Sequence, residues 1–279
     1  MHVRSTNGVT VAVHDLGGPP SADPLLIAHA TGFSGPCYQQ LAAALAERFH
    51  VWAIDFRGHG DSTEPDDGDY AWTGMAEDLL AVTDAVGVDR WYGFGHSLGG
   101  GVLFLAELAR PGLLRGAFLF EPIVLPTDLP DMPAQSPMPA AARRRREVFP
   151  SRAEALLRYA SRPPLGELRA DCLAAYVEHG FADQPDGSVR LKCSPEAEAR
   201  TFEAESKMTV DRVIAIEVPT TVAVGLRTDD GPNPARFAPA IVDAMPRAWL
   251  TEYDHLGHFG PFQDPESIAA DVLSRFTTA

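Results

Sequence analysis

Short apolar runs alternate along this chain with stretches of ten or more residues that are apolar on one side, and that rhythm restricts the fold more than any single residue does. Leu25-Leu26-Ile27-Ala28, Val51-Trp52-Ala53-Ile54-Asp55, Arg90-Trp91-Tyr92-Gly93-Phe94 and Gly116-Ala117-Phe118-Leu119-Phe120 read as strands. Between them, residues 39–48, 75–86 and 98–110 read as helices, the first with its apolar stripe at Leu41, Ala44 and Leu45. Strands alternating with helices of this length form βαβ units around a mostly parallel sheet, an α/β fold. Ahead of them, Asn7-Gly8 between Val3 and Val9-Thr10-Val11-Ala12-Val13 is a two-residue hairpin signal.

The rhythm stops after Glu121. Residues 122–206 are rich in Pro, Ala and Arg and contain no run that reads as a buried strand; helices are predicted near 140–149, 152–160 and 168–178. It resumes with a strand at 220–224, a helix at 235–245, a strand at 248–253 and a last helix at 265–276. The predicted organisation is one core domain, residues 1–121 and 207–279, with a mostly helical insertion at 122–206 between two of its strands.

A chain of 279 residues can bury a substantial core, and 45% apolar content is ordinary for a globular protein. A formal charge of −15 speaks against nucleic acid and anionic membranes as partners, since a polyanion needs a basic face. Cys37, Cys172 and Cys193 form no C-x-x-C pair, so neither a disulfide framework nor a zinc site is indicated. Met1-His2-Val3-Arg4 leads directly into the first turn, and no apolar run is long enough to span a bilayer. The expectation is a soluble, cytoplasmic protein whose partner is a small molecule; the oligomeric state is not encoded in any readable pattern.

Gly95-His96-Ser97-Leu98-Gly99 matches G-x-S-x-G, and it falls between a predicted strand and a predicted helix. A serine there sits on a sharp turn with its hydroxyl thrust outward, and the glycines two residues to either side remove Cβ atoms that would clash. The first amides of the following helix point at whatever the serine attacks. Three more segments accompany this one: His29-Ala30-Thr31-Gly32-Phe33 after the first buried strand, Asp55-Phe56-Arg57-Gly58-His59-Gly60-Asp61-Ser62 after the next, and Gly257-His258-Phe259 followed by Asp264-Pro265-Glu266.

With these segments the chain resembles the α/β-hydrolase fold over its whole length apart from the insertion. The resemblance implies a mostly parallel central sheet flanked by helices, a cap formed by residues 122–206, and no metal or organic cofactor. A serine hydroxyl is a poor nucleophile at neutral pH, so a histidine must accept its proton and an acid must orient that histidine. The resemblance puts the nucleophile at Ser97 and the base at His258. His255, three residues away, is the rival histidine, while His29, His59 and His96 lie in motif loops as scaffold.

For the acid two positions stay open. Many α/β-hydrolases carry it three residues beyond a glycine after the strand corresponding to 220–224; here Gly225-Leu226-Arg227-Thr228 offers a threonine, with Asp229 and Asp230 next. The other position is Glu121, at the tip of the strand 116–120, where Phe120-Glu121-Pro122-Ile123-Val124-Leu125-Pro126 resembles the haloalkane dehalogenase branch. A carboxylate at the carboxyl end of a buried strand lies where open α/β sheets build their sites. Glu121 is the preferred candidate, with Asp229 ahead of Asp230 as the alternative. The oxyanion hole is expected from the backbone amides of Leu98 and Thr31; Ala30 stands where relatives have glycine, which leaves Gly32 and Phe33 as other donors.

In the insertion, Arg143-Arg144-Arg145-Arg146 reads as a solvated helix face, because four consecutive helical residues cannot face one pocket, with one of them available to clamp a carboxylate. Phe149, Leu156, Leu157, Tyr159, Leu173, Tyr176 and Phe181 form either a pocket wall or the insertion's own core. The function implied is a cofactor-independent serine hydrolase acting on a small, fairly apolar ester, thioester or lactone. The same residues also serve carbon–carbon bond hydrolysis of a ketone, and a non-catalytic small-molecule binding protein is the alternative from another class. Dehalogenation and epoxide opening are disfavoured, because those families use an aspartate where this chain has Ser97.

Overall fold

The computed structural model describes residues 1–127, 136–227 and 233–277. Eight strands form the central sheet: β1 (His2–Arg4), β2 (Thr10–Gly17), β3 (Asp23–Ala28), β4 (Phe49–Ile54), β5 (Trp91–His96), β6 (Leu114–Phe120), β7 (Thr220–Gly225) and β8 (Ala248–Tyr253). Their order is β1-β2-β4-β3-β5-β6-β7-β8. The pairs β1–β2 and β2–β4 are antiparallel, and every pair from β4 to β8 is parallel. The predicted turn is present: Asn7 and Gly8 both have positive φ, 53° and 72°, and the Val9 amide donates to the Thr6 carbonyl at 3.0 Å.

Side chains on a strand alternate between faces, so β3 feeds two cores at once. Leu26 and Ala28 pack with Met75, Leu79, Val102 and Ile241, from helices Trp72–Val86, Leu98–Ala109 and Ala238–Ala244. Leu25 and Ile27 pack on the other side with Leu41, Phe94, Phe118 and Val272, from β5, β6 and helices Gln39–Leu45 and Pro265–Thr277. The continuous apolar strands of the sequence are therefore strands covered on both faces. Among the described residues no helix is long and apolar enough to cross a membrane.

The Asp55–Ser62 motif braces the front of this sheet. Asp55 accepts from the amides of Gly35 at 2.7 Å and Asp61 at 2.9 Å, and Ser62 donates to the Asp55 carbonyl at 2.6 Å. Gly60, at φ 54°, is required because a Cβ there would stand 2.1 Å from the Asp55 carboxylate. Arg57 is wholly buried and grips Asp78 through Nε at 2.8 Å and Nη2 at 2.9 Å, and also donates to the Gly74 carbonyl at 2.8 Å.

Between β6 and β7, helices Met138–Arg143, Arg152–Ala160, Ala170–Gly180 and Pro195–Glu203 are joined by three short antiparallel strands, ordered Val148–Phe149, Val189–Leu191, Phe181–Asp183. Two expectations are corrected here. The helix predicted at 140–149 ends at Arg143, and its last residues turn into a strand because Phe149 precedes Pro150, a position biased to extended backbone. The segment also contains a small sheet; strands of two or three residues are too short to show a period. At its base, Met208–Thr209 pairs in parallel with Val124–Leu125, so both ends of the segment are laced together.

Candidate functional site

β5 ends at His96, and Ser97 makes the bend to helix Leu98–Ala109 with φ 54° and ψ −114°, a conformation costly for a residue with a side chain. The flanking glycines are needed sterically. A Cβ on Gly99 would lie 2.0 Å from the Ala28 carbonyl oxygen, and one on Gly95 2.7 Å from the Gly100 Cα. The bend is tied to the next strand: the Ser97 amide donates to the Phe120 carbonyl and the Ile123 amide to the Ser97 carbonyl, both at 3.0 Å.

Between those two anchors stands Glu121, a second non-glycine residue at positive φ, 44°. Its amide is held by the Ala223 carbonyl at 2.8 Å and its Oε1 accepts from the Gly225 amide at 3.0 Å. Oε2 is 2.6 Å from Nδ1 of His258. A buried carboxylate at Nδ1 makes that nitrogen the donor, so Nε2 is left as the basic one. Gly225 has a further role: a Cβ there would be 2.4 Å from the Leu256 carbonyl oxygen, and its absence lets the His258 loop close onto the end of β7. Asp229 and Asp230 lie outside the described residues. His255 points away, exposed, with Nε2 3.3 Å from Asp264.

A buried chain of hydrogen bonds links the loops around Ser97. The Ala30 amide donates to Tyr38 Oη at 3.0 Å, Tyr38 Oη meets His96 Nδ1 at 2.8 Å, and His96 Nε2 meets the His258 carbonyl at 2.8 Å. A carbonyl only accepts, so Nε2 carries the proton and Tyr38 donates to Nδ1. Burial, followed by the nearness of His258, holds the His96 pKa well below the ordinary histidine value, so the relay is neutral. No local sequence pattern announces it, because its partners are 58 and 162 residues apart.

In the loop from Ala30 to Phe33, Tyr38 takes the Ala30 amide, the Ala30 carbonyl takes the Phe33 amide at 3.1 Å, and the Gly32 backbone lies on the Cys193 thiol. Among the described residues the amides of Thr31 and Leu98 have no protein acceptor; Leu98 is the first residue of its helix, where amides have no intrahelical partner.

Ser97, His258 and Thr31 share a cavity of about 850 Å³, walled by Phe33, Trp72, Phe149, Tyr159 and Tyr176 among others. Of the aromatic and aliphatic residues singled out in the insertion, Phe149, Tyr159 and Tyr176 line the cavity, Leu173 and Phe181 belong to the core behind it, and Leu157 is 72% exposed. The arginine run departs from expectation in part. Arg143, Arg144 and Arg146 are exposed as expected, Arg143 clamped by Glu196 and Glu203, but Arg144 and Arg146 also border the cavity and Arg145 turns into it half-buried. The helix stops at Arg143, so the argument from helical spacing does not apply to the three that follow. Arg145 pairs with Glu198 and donates to Tyr176 Oη at 2.6 Å. The pair packs on the glycine of the Ser97-facing loop, where a Cβ on Gly32 would be 3.0 Å from Glu198 Oε1.

Among the described residues one group, His14, Asp55 and Asp61, brings three potential metal ligands within 4.8 Å of one another. These donors already serve the fold, since Asp55 takes the bonds described above and Asp61 pairs with Lys192 at 2.7 Å.

A non-heme chloroperoxidase of Streptomyces lividans is 28% identical over 280 residues, covering 98% of each chain. A haloalkane dehalogenase of Mycobacterium tuberculosis is 26% identical over 262 residues, 91% of this chain and 87% of that one. The crystal structure of E-2-(acetamidomethylene)succinate hydrolase superimposes with a TM-score of 0.81 at 21% identity, over 99% of both chains. The model of the alpha/beta hydrolase family matches residues 25–271, and the chain belongs to that family.

Proposed function

We propose that this α/β hydrolase is a serine hydrolase that forms an acyl-enzyme on Ser97, with residues 122–206 as a cap that shapes its pocket. Ser97 attacks a carbonyl while His258 Nε2 takes its proton, and Glu121 holds the imidazole and stabilises its charged form. The amides of Thr31 and Leu98 receive the developing oxyanion beside the start of a helix. His258 returns the proton to the leaving group, then activates the water that frees the acid. Esters, thioesters and lactones are the substrate class.

The observation that carries this reading is the 2.6 Å contact between Glu121 and His258, with His258 lining the same cavity as Ser97 at its strained bend. The test is a fluorophosphonate probe, which labels an activated serine. Labelling of the folded wild type and none of Ser97→Ala is the expected result. A folded wild type that stays unlabelled overturns the reading.

A further inference from the structure

The chain has 38 acidic and 23 basic residues, yet the cavity around Ser97 inverts that balance. Its described lining contains Arg144, Arg145, Arg146, Arg158, Arg162 and Arg236 together with Lys207, against Glu198 as the one carboxylate. Glu198 is taken up by Arg145. Arg146 lies over the Phe149 ring, 4.7 Å from its centroid, and donates to the Val148 carbonyl at 2.8 Å. Lys207 is bound to the carbonyls of Phe202 and Ala204. The guanidinium groups of Arg144, Arg158 and Arg162 have no hydrogen-bond or ion-pair partner among the described residues. All three are exposed and so form the rim, with Arg158 in the last turn of helix Arg152–Ala160 and Arg162 two residues past its end.

Like charges gathered on a concave surface repel one another and focus a positive field into it. This chain has carboxylates in excess, and it places two of them on the neighbouring Arg143. Among the described residues the rim arginines are left without one, which makes the site complementary to a negative charge brought from outside. The planar fork of arginine matches a carboxylate with two parallel bonds. The wall between rim and serine is aromatic, which suits an uncharged middle.

On the reading that Ser97 hydrolyses an acyl compound, we propose that the substrate carries a carboxylate at the end remote from the scissile carbonyl, received at the rim by Arg158 and Arg162 with Arg144. The substrate class is then the half-ester or comparable acyl derivative of a dicarboxylic acid.

Two esters of equal chain length test this: 4-nitrophenyl valerate and the 4-nitrophenyl half-ester of glutaric acid. The expected KM of the anionic ester is about tenfold lower, as for a charge-assisted pair. That advantage shrinks as salt rises to about 0.5 M. The ratio of the two kcat/KM values inverts in Arg158→Glu/Arg162→Glu and falls toward one in the milder Arg158→Gln/Arg162→Gln. Equal or weaker binding of the anionic ester, insensitive to salt, overturns the proposal and leaves the hydrolase reading standing. If neither ester turns over and the fluorophosphonate probe fails to label, the hydrolase reading falls. Calorimetric titration of Ser97→Ala with monomethyl glutarate and with methyl valerate decides the charge preference without turnover: tighter binding of the anion supports it, and equal binding overturns it.

Discussion

Glu121 and His258 are 137 residues apart in sequence and 2.6 Å apart in space. Their meeting depends on a bend at positive φ that turns Glu121 over the end of β7, and on Gly225, which lets the histidine loop settle there. Replacing Glu121 by glutamine keeps the shape and removes the charge that fixes the tautomer. The expected loss in kcat is on the order of a thousandfold. Asp229→Asn, measured alongside with the same nitrophenyl ester, is expected to keep most of its turnover; the opposite pattern would move the acid to Asp229.

Tyr38→Phe removes the hydroxyl at the centre of the buried relay and orphans both the Ala30 amide and His96 Nδ1. A stability loss of about 1–3 kcal/mol is expected from the unmet polar groups. Because the relay positions the His258 loop without touching substrate, kcat should fall about tenfold or more while KM stays within about twofold. Urea unfolding and steady-state kinetics on the same preparation separate the two effects. A loss of stability with kcat intact would reduce the relay to scaffolding.

Three wholly buried histidines make folding sensitive to mild acid. Burial lowers His29 to about 3 and depresses His59 and His96. In the unfolded chain each takes up a proton near pH 6.5, whereas the folded protein keeps them neutral. Below that pH the unfolded state binds more protons, so stability is full above about 6.5 and drains away as pH falls toward the folded values. Between about pH 7.5 and 5.5 His29 contributes a loss of about 1.4 kcal/mol, and His59 and His96 add to it in the same direction. Denaturant midpoints at the two pH values check this, and a flat profile would mean the three are charged when folded.

Asp78→Asn leaves the Arg57 guanidinium buried without its counter-charge. The expected cost is about 3–5 kcal/mol, as for other broken buried pairs. Thermal unfolding reads it. Activity per folded molecule should change little, since Arg57 braces the sheet and does not line the cavity.

What was readable in the sequence follows from how each feature is encoded. β3 and β6 are continuous apolar runs, and the serine bend sits between a strand and a helix with a glycine on each side, so local patterns specify them. Glu121 was within reach because a strand tip is a position, and positions follow from strand boundaries. Tyr38, His96 and the His258 carbonyl meet only through the folded sheet, and nothing local marks the meeting. The arginine run is exposed at Arg143, Arg144 and Arg146 as its charge suggests, but the helix ends at Arg143, so helical spacing could not place Arg145 against the cavity. Arg158 and Arg162 gave no sign, since the role proposed for them rests on the lack of an acidic partner among the described residues, which depends on the three-dimensional neighbourhood.

The pairing of Met208 with Val124 means that the excursion between β6 and β7 leaves and returns through one doorway. Ser97 and Glu121, next to the ends of β5 and β6, and His258, on the loop after β8, all lie outside that doorway. If the proposed function holds, an exchange of the whole excursion for another, cut at this short ladder, is expected to alter the pocket wall while Ser97, Glu121 and His258 keep their places on the sheet. On that reading, substrate preference and reaction chemistry are carried by separable parts of one chain.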